Sequence, residues 1–504
     1  MRLSELLANE SVTIPPGLSP DDAGFGKEVT GLFYDSREVE NGGLFFALPG
    51  IHTNGAEYLA SAEARGAAAA ITEGQVAQIL NGMPVFTCDN VRSMMSRLSS
   101  RFYHHPSREL CVIGVTGTDG KSSTVSFISQ LLEAAGFPSG YFSTVSYKDG
   151  PKALPNTFRQ STPEAPQIHG LLRTMKTQGI EYAVLESTSH GLSPKTSRLA
   201  DVIYKCAVFT NVTQEHLEFH GTLEQYRADK ARLFTALDRG PQDAFGVVNA
   251  DDPHHKMFIE ATRRPVRTYS IENTHADLWA GDIQEDAGGL TFTVGPNQGR
   301  GKAALAGRFN VSNILAALLA VSGTTGTPVS ELLPLLDQIQ PVKGRMNRVA
   351  MGQPFEVLID YAHTPGAFES LFPPIRSRTK GKLWVVFGSG GERDRVKRPV
   401  QGGLADTWCD KIILTDEDPR LENPETILDD IQSGIKKKTL GVDLFRLRPR
   451  RDALRFALAQ AQEGDTLLFL GKGHEASILG PTKEAWDEEA ETRKGLEELG
   501  WRAP

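Results

Sequence analysis

The most constraining stretch of the 504-residue sequence is a junction between an apolar run and a helical pattern. The run Leu110–Val115 (LCVIGV) enters Gly114-Val-Thr-Gly117-Thr118-Asp119-Gly120-Lys121-Ser122-Ser123, and a helix is predicted from Lys121 to Ala135, with Val125, Ile128, Leu131 and Leu132 at helical spacing. Glycines let backbone N–H groups turn inward around phosphate oxygens. Lys121 supplies a cation for β- and γ-phosphates, Ser122 an oxygen for Mg²⁺, and the helix its positive end. The generic spacing GxxxxGK[ST] is missed by one position, because its first glycine would fall on Val115; the pattern that fits is GxxGTxGK[ST]. An ordinary glycine-rich corner is the competing explanation.

Apolar strands ending in polar residues recur along the chain. The first 107 residues carry GLFYDS (31–36), GLFFAL (43–48) and AAAAIT (67–72), with a helical stretch at Tyr58–Arg65. The polar RFYHHPSRE (101–109) reads as a linker. Then come YAVLES (182–187), CAVFTN (206–211) and FGVVNADD (245–252). From Lys343 follow FEVLIDYAH (355–363), KLWVVFGSGG (382–391), KIILTDEDP (411–419) and DTLLFLGKGHE (465–475). Strands alternating with helices predict α/β units with parallel sheets and sites at the strand C-termini. At ~150 residues per domain the length fits roughly three domains, divided as 1–107, 108–342 and 343–504.

Lys and Arg number 54 against 62 Asp and Glu, a net charge of −8, which argues against tracking nucleic-acid phosphate by bulk charge. The four cysteines, Cys88, Cys111, Cys206 and Cys409, form no CxxC pair, so a zinc or disulfide framework is not expected. No apolar run approaches the ~18–20 residues of a membrane span, and the N-terminus lacks the regions of a signal peptide. A cytoplasmic, monomeric protein is expected.

The phosphate loop resembles that of the Mur ligases and their folylpolyglutamate synthetase relatives, and further motifs follow in family order from Asp35 to Glu475. The resemblance is greatest to the branch that adds the third, diamino acid residue to the peptidoglycan precursor. It implies three α/β domains: a small N-terminal one for UDP, a central P-loop ATPase with a parallel sheet, and a C-terminal Rossmann-like one for the amino acid. It also implies ATP and Mg²⁺ as cofactors, UDP-N-acetylmuramoyl-L-alanyl-D-glutamate and a diamino acid as partners, and an acyl phosphate intermediate. Those activities belong to cell-wall biogenesis, cell shape and division.

Site residues carry over by motif. DSREVENGGLFFALPG (35–50) is similar to the family's uridine-nucleotide stretch, which implies Asp35, Ser36 and Arg37 as ligands. Ser161-Thr162-Pro163 resembles NTTP along the muramoyl-peptide, with Gln160 where the family has asparagine; Asn156-Thr157 just upstream is the alternative pair. ESTSH (186–190) resembles ExSSH, giving Glu186 to Mg²⁺ and Ser189 to the peptide, and Arg198 resembles the arginine on the peptide. EHLEFHG (215–221) resembles DHLDYHG, with His216 as a second metal ligand. YRADK (226–230) resembles YxxAK, whose lysine is carbamylated. Lys230 would then be an N6-carboxylysine metal ligand, and Asp229 stands where the family has alanine. An ammonium has no lone pair for Mg²⁺, whereas a carbamate is an anionic oxygen ligand. For ATP the motifs imply Gly117, Thr118, Asp119, Gly120, Lys121, Ser122 and Ser123, Asn249 on adenine, Arg345 of GRMNRV, Asp360 on ribose and His363 nearby; GRFNVSN (307–313) matches GxFNxxN.

For the incoming amino acid they imply Arg393 of FGSGGERDRVKRP on the α-carboxylate, and Gly471 and Glu475 of GKGHE on the distal ammonium. The selecting loop is Glu417-Asp418-Pro419-Arg420, where diaminopimelate enzymes read DNPR. Arg420 suits the second carboxylate of meso-diaminopimelate. Asp418 would repel it and suit a plain ammonium, with Arg420 then paired to Asp418 or Glu417. L-Lysine or L-ornithine is favoured, and meso-diaminopimelate stays open. The rivals are a folylpolyglutamate-type ligase, against which the N-terminal DSR stretch speaks, and a non-catalytic ATP-binding scaffold, expected to lack Lys121, Glu186 or Lys230.

Overall fold

The computed structural model describes residues 1–19, 25–50, 53–158, 160–213, 215, 217–286 and 288–502, with the backbone alone at 217 and 218. Among the described residues three large sheets carry the chain, beside a two-stranded ribbon of Ser477–Leu479 and Lys483–Ala485. The first orders its strands Leu32–Phe33, Leu44–Phe46, Ala69–Glu73, Met83–Cys88 and Gln78–Leu80, all parallel except the last pair. Its two faces are closed by separate apolar clusters, one of them built on the helix Val91–Phe102.

The central sheet has eleven strands. Cys111–Thr116 lies in its middle, parallel to Tyr182–Glu186 on one side and Cys206–Phe209 on the other. These strands are apolar and buried on both faces, as sheets covered by helices require. One covering layer is made by the helices Lys121–Ala134 and Phe309–Thr325, which pack together over Ile113, Val184 and Val247. Beyond Leu278 the sheet turns antiparallel through Leu278–Asp286, Gly289–Gly295 and Gly299–Ala303.

The third sheet orders Asn347–Arg348, Glu356–Asp360, Thr466–Leu470, Leu383–Phe387, Lys411–Leu414 and Leu444–Arg446, parallel but for the first. The strand ends expected at 360, 387, 414 and 470 therefore share one edge, from which the loops holding Arg393, Glu417 and Glu475 leave.

The segment 101–109 is not an open linker. The helix Val91–Phe102 runs into it, and a 3₁₀ turn follows at Pro106–Arg108. Arg173 donates to Tyr103 O at 2.9 Å, His104 O at 2.9 Å and Glu109 Oε1 at 2.7 Å, so its polarity serves a pinned corner. His104 and His105 both take positive φ there. Among the described residues no single helix is long and apolar enough to cross a membrane.

Arg450 and Glu488, both with wholly buried side chains, pair at 2.6 Å. Arg450 also donates to Leu470 O at 2.8 Å and Asp416 O at 3.1 Å, tying together two strand ends that feed the functional loops. Arg450→Met should destabilise the protein by ~3–5 kcal/mol, because Glu488 would be left as a buried, uncompensated charge. Urea denaturation reads this directly; a loss below about 1 kcal/mol would mean the pair contributes little.

Candidate active site

Sterics shape the phosphate loop. Gly117 has φ +153°, and a Cβ there would meet Thr210 Oγ1 at 1.9 Å; Gly120 has φ +80°, and its Cβ would meet Asn313 Oδ1 at 2.5 Å. Only glycine fits either place. Asn211 braces the loop from the next strand, its carbonyl accepting Thr118 N at 2.8 Å and its Oδ1 accepting Asp119 N at 2.9 Å. Lys121 opens the helix and folds back to donate to Thr118 O at 2.6 Å.

Ser122 Oγ donates to Glu186 Oε2 at 2.8 Å, and Glu186, 2% exposed, also accepts Thr144 N and Thr144 Oγ1, each at 2.8 Å. Lys230, on the helix Leu223–Ala236, reaches the same loop and donates to Gly117 O. Burial, reinforced by the charge of Lys121, pushes the Lys230 amine well below its ordinary range. Tyr226, one turn earlier, lies under that amine at 4.4 Å and bonds Thr118 Oγ1 at 3.1 Å.

These groups line one cavity of about 490 Å³ whose far wall comes from beyond residue 343: Arg345, Asp360, Tyr361, His363 and Leu371. Asp360 accepts Met346 N and Ala362 N, both at 2.7 Å, so its carboxylate also fixes the turn that aims Arg345. Burial pushes Asp360 up and His363 down. Asn249 lines the cavity with its amide already engaged, donating to Thr210 O at 2.8 Å and accepting Asp251 N at 3.0 Å. Beside it stand Ile271 and Phe309, 36% exposed, an apolar wall that no motif predicted.

Of the expected residues, Thr118 to Ser123, Ser161, Glu186, Ser189, Lys230, Asn249, Arg345, Asp360 and His363 come together here, and Gly117 sits behind through its carbonyl. His216 lies outside the described residues. Thr162 is buried behind the wall, donating to Glu186 O at 2.9 Å. Asn156 clips its own loop by donating to Ser143 O at 2.9 Å and Gln160 O at 3.0 Å, and Thr157 is exposed; of the two alternative pairs, only Ser161 lines the cavity. Arg198 is held by Glu164 at 2.8 Å and by Thr162 O at 2.9 Å. Asp35 and Arg37 pair with each other at 2.6 Å around the buried Ser36, away from this cavity.

The amino-acid loops form a second cluster. A Cβ on Gly390 would lie 3.6 Å from Arg393 and 3.8 Å from Glu417, and one on Gly471 2.7 Å from Glu417 Oε2. Glu417 Oε2 is buried without a hydrogen-bond donor. The expected pairing of Arg420 with Asp418 or Glu417 does not occur. Asp418 Oδ1 instead takes the wholly buried Lys472 at 2.7 Å and Leu479 N at 2.9 Å, and Lys472 also reaches Glu475 at 2.5 Å. Arg420 Nε is buried without an acceptor. The reason is packing: Lys472, 54 residues downstream, leaves the end of Thr466–Leu470, one strand removed from Lys411–Leu414 in the sheet, and needs a counter-ion.

Among the described residues no three His, Cys, Asp or Glu converge as a metal cage. Mg²⁺ needs none, since it keeps waters and usually takes one or two carboxylates plus substrate phosphates. Ser122 and Glu186 are hard oxygen donors already within bonding distance of one another at the phosphate loop, a donor set that fits that ion. The arrangement can therefore hold a nucleoside triphosphate and transfer its γ-phosphoryl group.

The family descriptions Mur ligase middle domain, Mur ligase glutamate ligase domain and Mur ligase family catalytic domain match residues 115–321, 344–473 and 28–103. The chain belongs to the Mur ligase family, whose members are ATP-dependent ligases. It is 47% identical to UDP-N-acetylmuramyl-tripeptide synthetase of Roseiflexus sp. (strain RS-1), over 99% of this chain and 100% of that one. It is 46% identical to the same-named protein of Treponema denticola, over 93% and 94%. A solved UDP-N-acetylmuramoyl-L-alanyl-D-glutamate–2,6-diaminopimelate ligase superposes with a TM-score of 0.67 at 30% identity, covering 99% of both chains.

Proposed function

We propose that this ligase joins a diamino acid, L-lysine or L-ornithine before meso-diaminopimelate, to UDP-N-acetylmuramoyl-L-alanyl-D-glutamate in peptidoglycan synthesis. The observation that carries the ligase chemistry is the meeting of Lys121, the Ser122–Glu186 pair and Lys230 on one phosphate loop, inside a cavity walled by a second sheet. Lys121 stabilises charge spreading over the γ-phosphoryl group, and Phe309, Ile271 and Asn249 receive the base. Ser122, Glu186 and a carbamylated Lys230 would hold Mg²⁺, which would supply neutralisation of phosphate charge. The D-glutamyl carboxylate attacks the γ-phosphoryl group and displaces ADP; the neutral amine then displaces phosphate from the acyl phosphate, losing a proton as the amide forms. The enzyme's share is largely positioning.

Carbamylation is supported by the state of Lys230. Its amine is buried, and burial lowers its pKa well below the ordinary range, which favours the neutral form that adds to carbon dioxide. The divisions 1–107, 108–342 and 343–504 follow the three sheets, with Asp35, Ser36 and Arg37 assigned to the uridine diphosphate and Ser161, Ser189 and Arg198 to the peptide. Arg198 would exchange Glu164 for substrate.

Charge supports the choice of amine. Glu417, Asp418 and Glu475 crowd one strand edge; burial pushes Glu475 up, Lys472 pulls it down, and the two other carboxylates push it further up. The donorless Glu417 Oε2 offers a partner for an ammonium. Asp418 already neutralises Lys472, so that ammonium is not free for a second carboxylate. The acceptorless Nε of Arg420 favours meso-diaminopimelate as the second reading.

ADP release from UDP-N-acetylmuramoyl-dipeptide with each diamino acid tests the whole assignment. Silence with all three would overturn it. Asp418→Asn, which frees Lys472, should raise the kcat/KM of meso-diaminopimelate relative to lysine and ornithine by about tenfold, the order expected of one unit charge in a partly screened pocket. An unchanged ratio would remove Asp418 from selection.

A further inference from the structure

Beside the phosphate loop, on another face of the helix Leu223–Ala236, runs a buried chain of three side chains. Asp229 Oδ2 lies 2.8 Å from His220 Nδ1, and His220 Nε2 lies 3.1 Å from Ser189 Oγ. The side chains of Asp229 and His220 are 1% and 0% exposed. The other oxygen of Asp229 accepts Gln225 Nε2 at 3.1 Å and Arg232 Nε at 3.3 Å. Three donors thus converge on one carboxylate, which as an anion only accepts, so the imidazole proton sits on Nδ1. With that single proton on the ring, Nε2 holds a lone pair to which the Ser189 hydroxyl would donate. The remaining lone pairs of Ser189 are left for the cavity that Ser189 lines.

We propose that Asp229 is a positioning residue for the ligase reaction: acting through His220, it fixes the Ser189 hydroxyl as a hydrogen-bond acceptor for an N–H group of the bound muramoyl-peptide. The proposal rests on the assignment of Ser189 to the peptide made above and gives that contact its polarity. The family pattern has alanine at this position, which would leave the His220 ring free to take either tautomer; here the acid selects one.

Asp229→Asn tests it with little change of shape. Gln225 and Arg232 both donate, so they hold the amide oxygen on their side and turn the amide N–H₂ toward His220 Nδ1. The ring proton must then move to Nε2, and Ser189 becomes a donor toward the cavity. The KM for UDP-N-acetylmuramoyl-L-alanyl-D-glutamate should rise about tenfold with the KM for ATP within twofold, and in a Ser189→Ala background the same substitution should add less than twofold. An equal rise in both KM values, or a full additional loss in the double variant, would place the effect on Lys230 or on folding and overturn the proposal. Nitrogen-15 NMR of labelled histidine in the wild-type enzyme reads the tautomer without any variant having to fold; a ring protonated at Nε2 overturns the proposal by itself. Absence of ADP release by the wild type is a different result, because it removes the substrate assignment while the tautomer is still measured.

Discussion

Lys121→Ala should lower ADP release by about a thousandfold or more and leave the protein folded. The loss follows from where the ammonium sits. It opens the helix Lys121–Ala134 at the rim of the cavity, its partner is a loop carbonyl at 2.6 Å, and nothing in the apolar core leans on it. When phosphate enters, that amine can leave Thr118 O and meet the oxygens on which transition-state charge accumulates, where single pre-organised donors contribute factors of ~10²–10³ and a full cation more. Alanine is a good helix former, so the helix start is kept. Thermal melting within a few degrees of wild type, together with lost turnover, is the expected pair of results; near-normal turnover would sink the phosphate-loop assignment.

Lys230→Ala should be equally inactive for another reason, and here part of the activity should be recoverable. The buried amine of Lys230 points at Gly117 O from the opposite side of the loop, over the Tyr226 ring. An uncharged amine is a poor partner for Mg²⁺, and its carbamate is a good one. Removing the side chain leaves room for a small carboxylate, so millimolar acetate or formate should restore a measurable fraction of ADP release. The same acids should do nothing for Lys121→Ala. Intact-protein mass or a density map of the active enzyme showing unmodified lysine at 230 would count against carbamylation.

The parts of this molecule legible in its sequence are those whose chemistry is local. The strand–loop–helix at 110–135 is spelled by adjacent residues, each with a reason to be there: apolar for the buried strand, glycine where Thr210 and Asn313 leave no room for a Cβ, lysine and serine at the helix start. The strand ends at 360, 387, 414 and 470 were similarly visible as apolar runs breaking into polar loops. What escaped depends on neighbours brought from elsewhere. Thr144 bonds Glu186 twice, yet its surroundings (Ser143-Thr144-Val145) carry no pattern. Phe309 lies in the matched GRFNVSN stretch, yet its place in the cavity wall, at the start of the helix Phe309–Thr325, depends on what that helix packs beside. Asp418 is held not by the Arg420 of its own loop but by a lysine on another strand end, and Arg198 is held by Glu164, 34 residues away. That the polar 101–109 stretch is pinned rather than open was not legible because Arg173, which pins it, belongs to a later helix.

The cavity is divided between two sheets, with the phosphate loop on one and Arg345, Asp360 and His363 on the other. Nucleotide occupancy and the approach of the two halves are therefore one linked equilibrium: whatever draws the halves together tightens the nucleotide, and the nucleotide draws them together by the same free energy. Arg378 reaching Glu285 across the divide at 3.4 Å belongs to that balance. So does Tyr361, which touches both ligands' territories, stacking under Arg345 at 4.8 Å and donating to Glu475 at 3.3 Å. On the proposed assignment of Glu475, an amino acid arriving there would be felt at Arg345 through a single aromatic ring. On the proposed reaction, such an enzyme has reason to wait for the amine before closing, and so to protect the acyl phosphate from water.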